Sequence, residues 1–136
     1  MRWVAAMPAE TRRGVVAELR RLNRALAGTL ESETPDPERV FEMHSAFHTY
    51  HLGLVHAPRL VAMHASIRPQ AERYRRLYIT TAPSGFLEEV EEHGAIIERL
   101  EAGDPEGAQL AVEGNWERTA GRLFAIIDRL GSRGSW

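Results

Sequence analysis

The sequence predicts an all-α antiparallel helical bundle of five to six helices, and three observations carry that prediction. Apolar residues recur at three- and four-residue spacing through most of the chain, strand-like alternation is scarce, and helix start and stop signals punctuate the sequence at regular intervals. At 136 residues the chain fits one domain, 1–136, with an expected ordered core over about residues 8–130. A domain of that size buries about two thirds of the surface of its unfolded chain.

Each element has its own signal. The first helix is expected over residues 8–27, with Pro8 suited to a first turn, Gly28 to a stop, and Val15, Leu19, Leu22 and Leu26 forming the apolar stripe. Thr34-Pro35-Asp36-Pro37-Glu38 then combines a loop with a start: Asp36 caps free N–H groups, Pro37 suits the first helical position and Glu38 the positive end of the dipole. That second helix should reach about Val55. A third is expected from Pro58 to about Thr80, kinked or broken at Pro69. Pro83-Ser84-Gly85 opens the fourth and Gly103 closes it. Gly103-Asp104-Pro105-Glu106 then turns the chain into an antiparallel fifth helix ending near Leu130. The tail from Gly131 to Trp136 should fray.

Composition excludes several classes of function. There is no cysteine, which removes disulfides, Fe–S clusters, zinc ribbons and thiol nucleophiles, so any metal must be held by His, carboxylate or amide groups. Net charge is −2, so nothing suggests a nucleic-acid or membrane partner for this chain itself. The basic residues are all Arg, a compositional habit rather than a chemical signal. No apolar run approaches a membrane span or forms a signal peptide, and a soluble, cytoplasmic protein is expected.

The candidate site comes from polar residues on apolar faces. The core stripe of the second helix passes through Val40, His44, Phe47, His48, His51 and Val55, and that of the fourth through Phe86, Val90, His93, Ile97 and Leu100. In the fifth helix Ala108, Val112, Asn115, Thr119 and Ile126 share one side. An unpartnered buried imidazole or amide costs on the order of 1–3 kcal/mol, so these groups should satisfy one another or a ligand. His44 and His48, one turn apart, can aim two nitrogens at one point. His93 would add a third ligand, and Asn115 an oxygen or a hold on a ligated water. A lone inward histidine is more often a hydrogen-bonded core residue, and His51, His56 and His64 are read so.

Other motifs carry less. Glu88-Glu89-x-Glu91-Glu92 reads as a solvated face at a helix N-terminus. A di-iron bundle needs two ExxH pairs, and the residue three before His93 is Val90. Hydrolase, nucleotide-binding and zincin motifs are missing from the sequence. In Glu72-Arg73-Tyr74-Arg75-Arg76-Leu77-Tyr78, Tyr74 and either Leu77 or Tyr78, with Ile67, are expected to face the core and the arginines the solvent. Arg75 is the exception, leaning inward beside Tyr74 to pair with the carboxylate of an effector.

Four fragments in order, Ala46-Phe47-His48, Ala57-Pro58, Glu92-His93-x-x-Ile96 and Gly103-Asp104-x-x-x-Ala108, resemble the FCD domain of GntR-type bacterial transcription regulators over residues 5–130. The resemblance implies a homodimeric bundle that binds a small organic-acid effector beside a divalent metal, zinc or nickel. It places the ligands at His44, His48, His93 and Asn115. His44 stands where the family has Asp or Asn, and Asn115 where it has a histidine. An amide oxygen is a poor ligand for zinc or nickel, so Asn115 should weaken the metal. The chain is expected to lack both the winged helix-turn-helix and the first helix of the family domain, so operator DNA is reached only through a module outside it. Two other readings stay open: a metal-dependent enzyme using His44, His48 and His93, against which no general base is evident in the same seam, and a purely structural dimerisation fragment.

Overall fold

The computed structural model describes residues 1–55, 57–81 and 85–131. It forms six helices: α1 (Arg2–Ala5), α2 (Ala9–Leu30), α3 (Pro37–Gly53), α4 (Pro58–Thr81), α5 (Gly85–Ala102) and α6 (Pro105–Gly131). No strand occurs among the described residues. His56, Pro83, Ser84 and the tail after Gly131 lie outside them, so the readings made of those residues are not addressed.

The punctuation acts largely as its chemistry requires. Asp36 accepts a hydrogen bond from the Glu38 N–H at 3.0 Å, capping α3 with Pro37 behind it. Gly103 adopts φ +66°, a left-handed conformation that glycine reaches without strain. There the Asp104 N–H returns to the Arg99 carbonyl at 3.0 Å and closes α5. Asp104 then caps α6 by accepting from the Gly107 N–H at 2.9 Å. A Cβ on residue 107 would stand 2.0 Å from the Asp104 carboxylate, so this cap requires glycine.

The helices run differently from the simplest expectation at three places. Gly28 does not stop α2, which continues to Leu30; Gly28 lies on the exposed side, and the helical hydrogen bonds around it hold without a side chain. Pro69 does not break α4, because a proline forfeits one backbone hydrogen bond and α4 has turns on both sides to keep it helical. The buried core begins well before residue 8: Val4 and Ala5 are buried, and the Arg12 guanidinium ties α1 down by donating to the carbonyls of Ala5 and Met7 at 3.2 and 2.8 Å.

Helix α2 packs between α3 and α5, α5 pairs with α6, and α4 lies across α3 and α6. The buried residues fall into two apolar clusters. One joins Val4, Val15, Leu19, Leu22, Phe47, Ile96, Leu100 and Ala108; the other joins Leu26, Val40, Phe41, Tyr78, Phe86 and Ile126. Along α2, α3, α5 and α6 the polar residues of interest fall between the two: Asn23 on α2, His44 on α3, Glu89 and His93 on α5, Asn115 on α6. The bundle thus has apolar ends and a polar middle. Each fully buried Leu or Phe contributes about 1.5–3 kcal/mol by burial, which offsets the cost of that middle layer.

The first half of α4 departs from its expected role. Ile67 is 60% exposed and Tyr74 38%, whereas Tyr78 and Ile79 are buried. With α3 and α6 as its main neighbours, α4 buries residues near its C-terminal end.

Candidate functional site

His44, His48 and His93 come together, each contributing one nitrogen to a group whose atoms all lie within 4.8 Å of one another. His48 Nε2 is 3.2 Å from both His44 Nε2 and His93 Nε2. The i, i+4 spacing on α3 supplies the first pair, and α5 brings in the third. His44 and His93 are fully buried, while His48 keeps part of its ring at a cavity wall. The His93 ring stacks on Phe47 with centroids 3.8 Å apart and planes at 7°, and the Phe86 edge meets His44 at 5.3 Å.

Asn23 positions His93. Its Nδ2 donates to the Val90 carbonyl at 3.0 Å, which turns its Oδ1 toward His93 Nδ1 at 3.1 Å. His93 therefore carries its proton on Nδ1 and presents a lone pair on Nε2. Burial pushes the pKa of all three histidines down, His48 and His93 furthest. For His44 the neighbouring Glu89 carboxylate opposes that fall without cancelling it. Near neutral pH the cluster is three uncharged imidazoles.

This arrangement fits a divalent transition metal. A neutral imidazole nitrogen has either one proton or one lone pair, so His48 Nε2 can form a linear hydrogen bond with at most one of its two neighbours. A shared cation would satisfy all three. A tetrahedral ion with metal–nitrogen distances near 2.0 Å needs ligand nitrogens about 3.3 Å apart, which the two short contacts match.

The acidic run on α5 is corrected. Glu88 is largely exposed, but Glu89 is fully buried and the Glu92 side chain nearly so. Glu89 Oε2 touches His44 Nε2, while its Oε1 is held by Thr119 Oγ1 at 3.3 Å and Arg122 Nη2 at 3.5 Å. Glu92 receives both Arg122 nitrogens, at 2.9 and 3.1 Å, and Arg118 Nε at 2.7 Å. Burial alone would raise both carboxyl pKa values. The partners outweigh it: His44, Arg122 and Arg75 lower Glu89, and Arg122, Asn115 and Arg118 lower Glu92. A carboxylate therefore does stand beside the histidines, contrary to the expectation of a seam without one. Asn115 is buried at its expected seam position, but its Nδ2 donates to Glu92 Oε2 at 2.7 Å. No hydrogen bond joins it to the three histidines among the described residues.

A cavity of about 110 Å³ opens beside His48, lined also by Ser45, Thr49, His64, Arg75 and Trp116. A second, of about 180 Å³, shares Arg75 and Trp116 and adds Tyr74, Tyr78, Thr119 and Leu123. Arg75 stands between the two and has no hydrogen-bond or ion-pair partner among the described residues. Its surroundings lower its pKa by burial, against the pull of Glu89 and Glu72. Of the two cavities Tyr74 lines the second, and His64 is a wall residue of the first rather than core. A larger concavity of about 500 Å³ runs along α2 to Glu101, far from this chemistry. There Arg20 is paired with Glu101 and Arg12 with backbone carbonyls.

A buried three-histidine cluster thus stands at the middle of an antiparallel bundle, with His48 on the wall of a cavity that Arg75 also lines. The FCD domain family model matches residues 2–118, and the chain belongs to that family. No curated protein and no solved structure matches it. FCD domains are the effector-binding domains of GntR-type transcription regulators. No described helix is long and apolar enough to cross a membrane.

Proposed function

We propose that this domain senses a small organic acid in the cavity beside His48. Arg75 takes the effector carboxylate, and His44, His48 and His93 hold a divalent transition metal, zinc or nickel, next to it. The carrying observation is that His48, one imidazole of a convergent set of three, and an unpaired guanidinium, Arg75, line the same cavity. A guanidinium recognises a carboxylate in bidentate fashion, and a metal adjoining it would supply a second positive centre. Tyr74 lines the second cavity, which shares Arg75 with the first, and would meet an acid long enough to extend past Arg75. Asn115 serves the metal only indirectly, by fixing Glu92. The domain acts as a homodimer, and effector binding alters how paired DNA-binding modules are placed.

Thermal shift tests this reading. Protein purified without chelator is assayed for bound metal, then melted with zinc, nickel or chelator and a panel of mono-, di- and tricarboxylates. At least one acid should raise Tm in the metal-loaded protein, and Arg75→Ala should abolish that rise without abolishing metal binding. Absence of metal, together with His93→Ala melting identically with every acid, would sink the assignment. Light scattering reports the dimer.

A further inference from the structure

We infer that Glu89 is the fourth protein ligand of the metal site, contributed by α5 one turn before His93. The inference rests on the metal reading above and adds to it a residue that the three-histidine cluster leaves out. Four features point to it.

Glu89 is 0% exposed, and a carboxylate in that position is sustained only by positive charge or strong hydrogen bonds. Its two oxygens have divided roles. Oε1 is anchored on α6 by Thr119 and Arg122 at 3.3 and 3.5 Å, the kind of outer support that orients a ligating carboxylate. Oε2 is buried against His44 Nε2 but has no well-directed hydrogen bond among the described residues. That same His44 nitrogen is 3.2 Å from His48 Nε2, so Oε2 adjoins the donor set at its His44 corner, just outside the group of three nitrogens that lie within 4.8 Å of one another.

The charge balance runs the same way. Three neutral imidazoles around a divalent ion leave two positive charges in the middle of the bundle, and one carboxylate halves them. A cation on the His44 Nε2 lone pair leaves that nitrogen no hydrogen to offer Glu89. Oε2 would then be a buried anionic oxygen with no partner unless it binds the same cation. The remaining single positive charge suits an anionic effector.

The full chain is stripped with chelator. Zinc affinity is then measured by competition with a chromophoric chelator, and the cobalt-loaded protein is examined by absorption spectroscopy. Glu89→Gln keeps the shape and removes the charge; it should weaken zinc binding by at least about tenfold, the lower end of what outer partners alone contribute. It should also shift the cobalt d–d bands, which a merely structural ion pair would leave in place. Thr119→Val keeps the carboxylate but loosens its anchor, and a few-fold weakening is expected. Wild-type affinity and an unchanged cobalt spectrum in Glu89→Gln, with binding still lost in His93→Ala, would overturn the role of Glu89 alone. No measurable binding by the wild type would overturn the metal reading and this inference together. Should Glu89→Gln fail to fold, wild-type affinity in Thr119→Val overturns the inference.

Discussion

Asn23→Leu isolates the positioning of His93 from its presence. The substitution is close in volume but removes the acceptor of the His93 Nδ1 proton, 3.1 Å away, and the donor to the Val90 carbonyl at 3.0 Å. The carbonyl belongs to α5 and loses little. The imidazole N–H loses its recorded partner in a buried setting, which costs about 1–3 kcal/mol. For a domain of this length each kcal/mol lowers Tm by roughly 3–5 °C, so a fall of about 3–15 °C is expected in metal-free protein. The second effect is on tautomer: without Asn23, His93 is free to move its proton to Nε2 and withdraw the lone pair. Loss of an outer partner of a ligating histidine typically weakens metal binding 10–100-fold, or about 1.4–2.7 kcal/mol. Asn23→Asp keeps an acceptor at the same position and should recover much of that affinity. Differential scanning calorimetry with chelator reads the first effect, and zinc competition the second. If Asn23→Leu melts within a degree of wild type and binds zinc within twofold, the positioning argument is wrong.

Two further outcomes follow from the polar layer. Glu92→Ala leaves the Arg122 guanidinium and the buried Asn115 amide without their shared acceptor; urea unfolding should show a loss of about 2–5 kcal/mol, whereas Glu91→Ala on the exposed face should lie within about 0.5 kcal/mol of wild type. Stability should also fall with acid. His48, His51 and His93 have folded pKa values below the ordinary 6.5, His51 about 4, because burial penalises their charged forms. The unfolded chain therefore binds more protons between those values, so the stabilisation is complete above about pH 6.5 and is lost progressively as pH falls toward 4. Urea midpoints that stay flat from pH 7.5 to 4.5 would contradict this.

Much of this architecture was legible in the sequence because it is local chemistry. Asp36-Pro37 and Gly103-Asp104-Pro105 act within a few residues of themselves, and they set the ends of α3, α5 and α6. The three histidines were legible because helical arithmetic alone puts them on apolar stripes. Glu89 obeys the same arithmetic, three residues after Phe86 and four before His93, but its place in an acidic run at a helix start disguised it as solvated surface. Asn115 was correctly placed inside, yet rotation about its own side chain decides whether it meets histidine or carboxylate, and spacing is silent on that. Asn23 sits among arginines, between Arg21 and Arg24, and nothing near it in sequence marks it as a buried polar residue; its partner is 70 residues away. Ile67 and Tyr74 failed as core because a stripe predicts burial only where another helix covers it.

The stacking of His93 on Phe47 has an entropic consequence. An imidazole on a loop would lose side-chain freedom on capturing an ion, at about 0.5–1.5 kcal/mol for each side chain immobilised. Here the ring plane is set by Phe47 at 3.8 Å and the ring orientation by Asn23, so that freedom is surrendered when the chain folds. Ligand capture at this position should therefore involve little reorganisation of the bundle, and its rate should be governed by access through the cavity beside His48 rather than by rearrangement of His93.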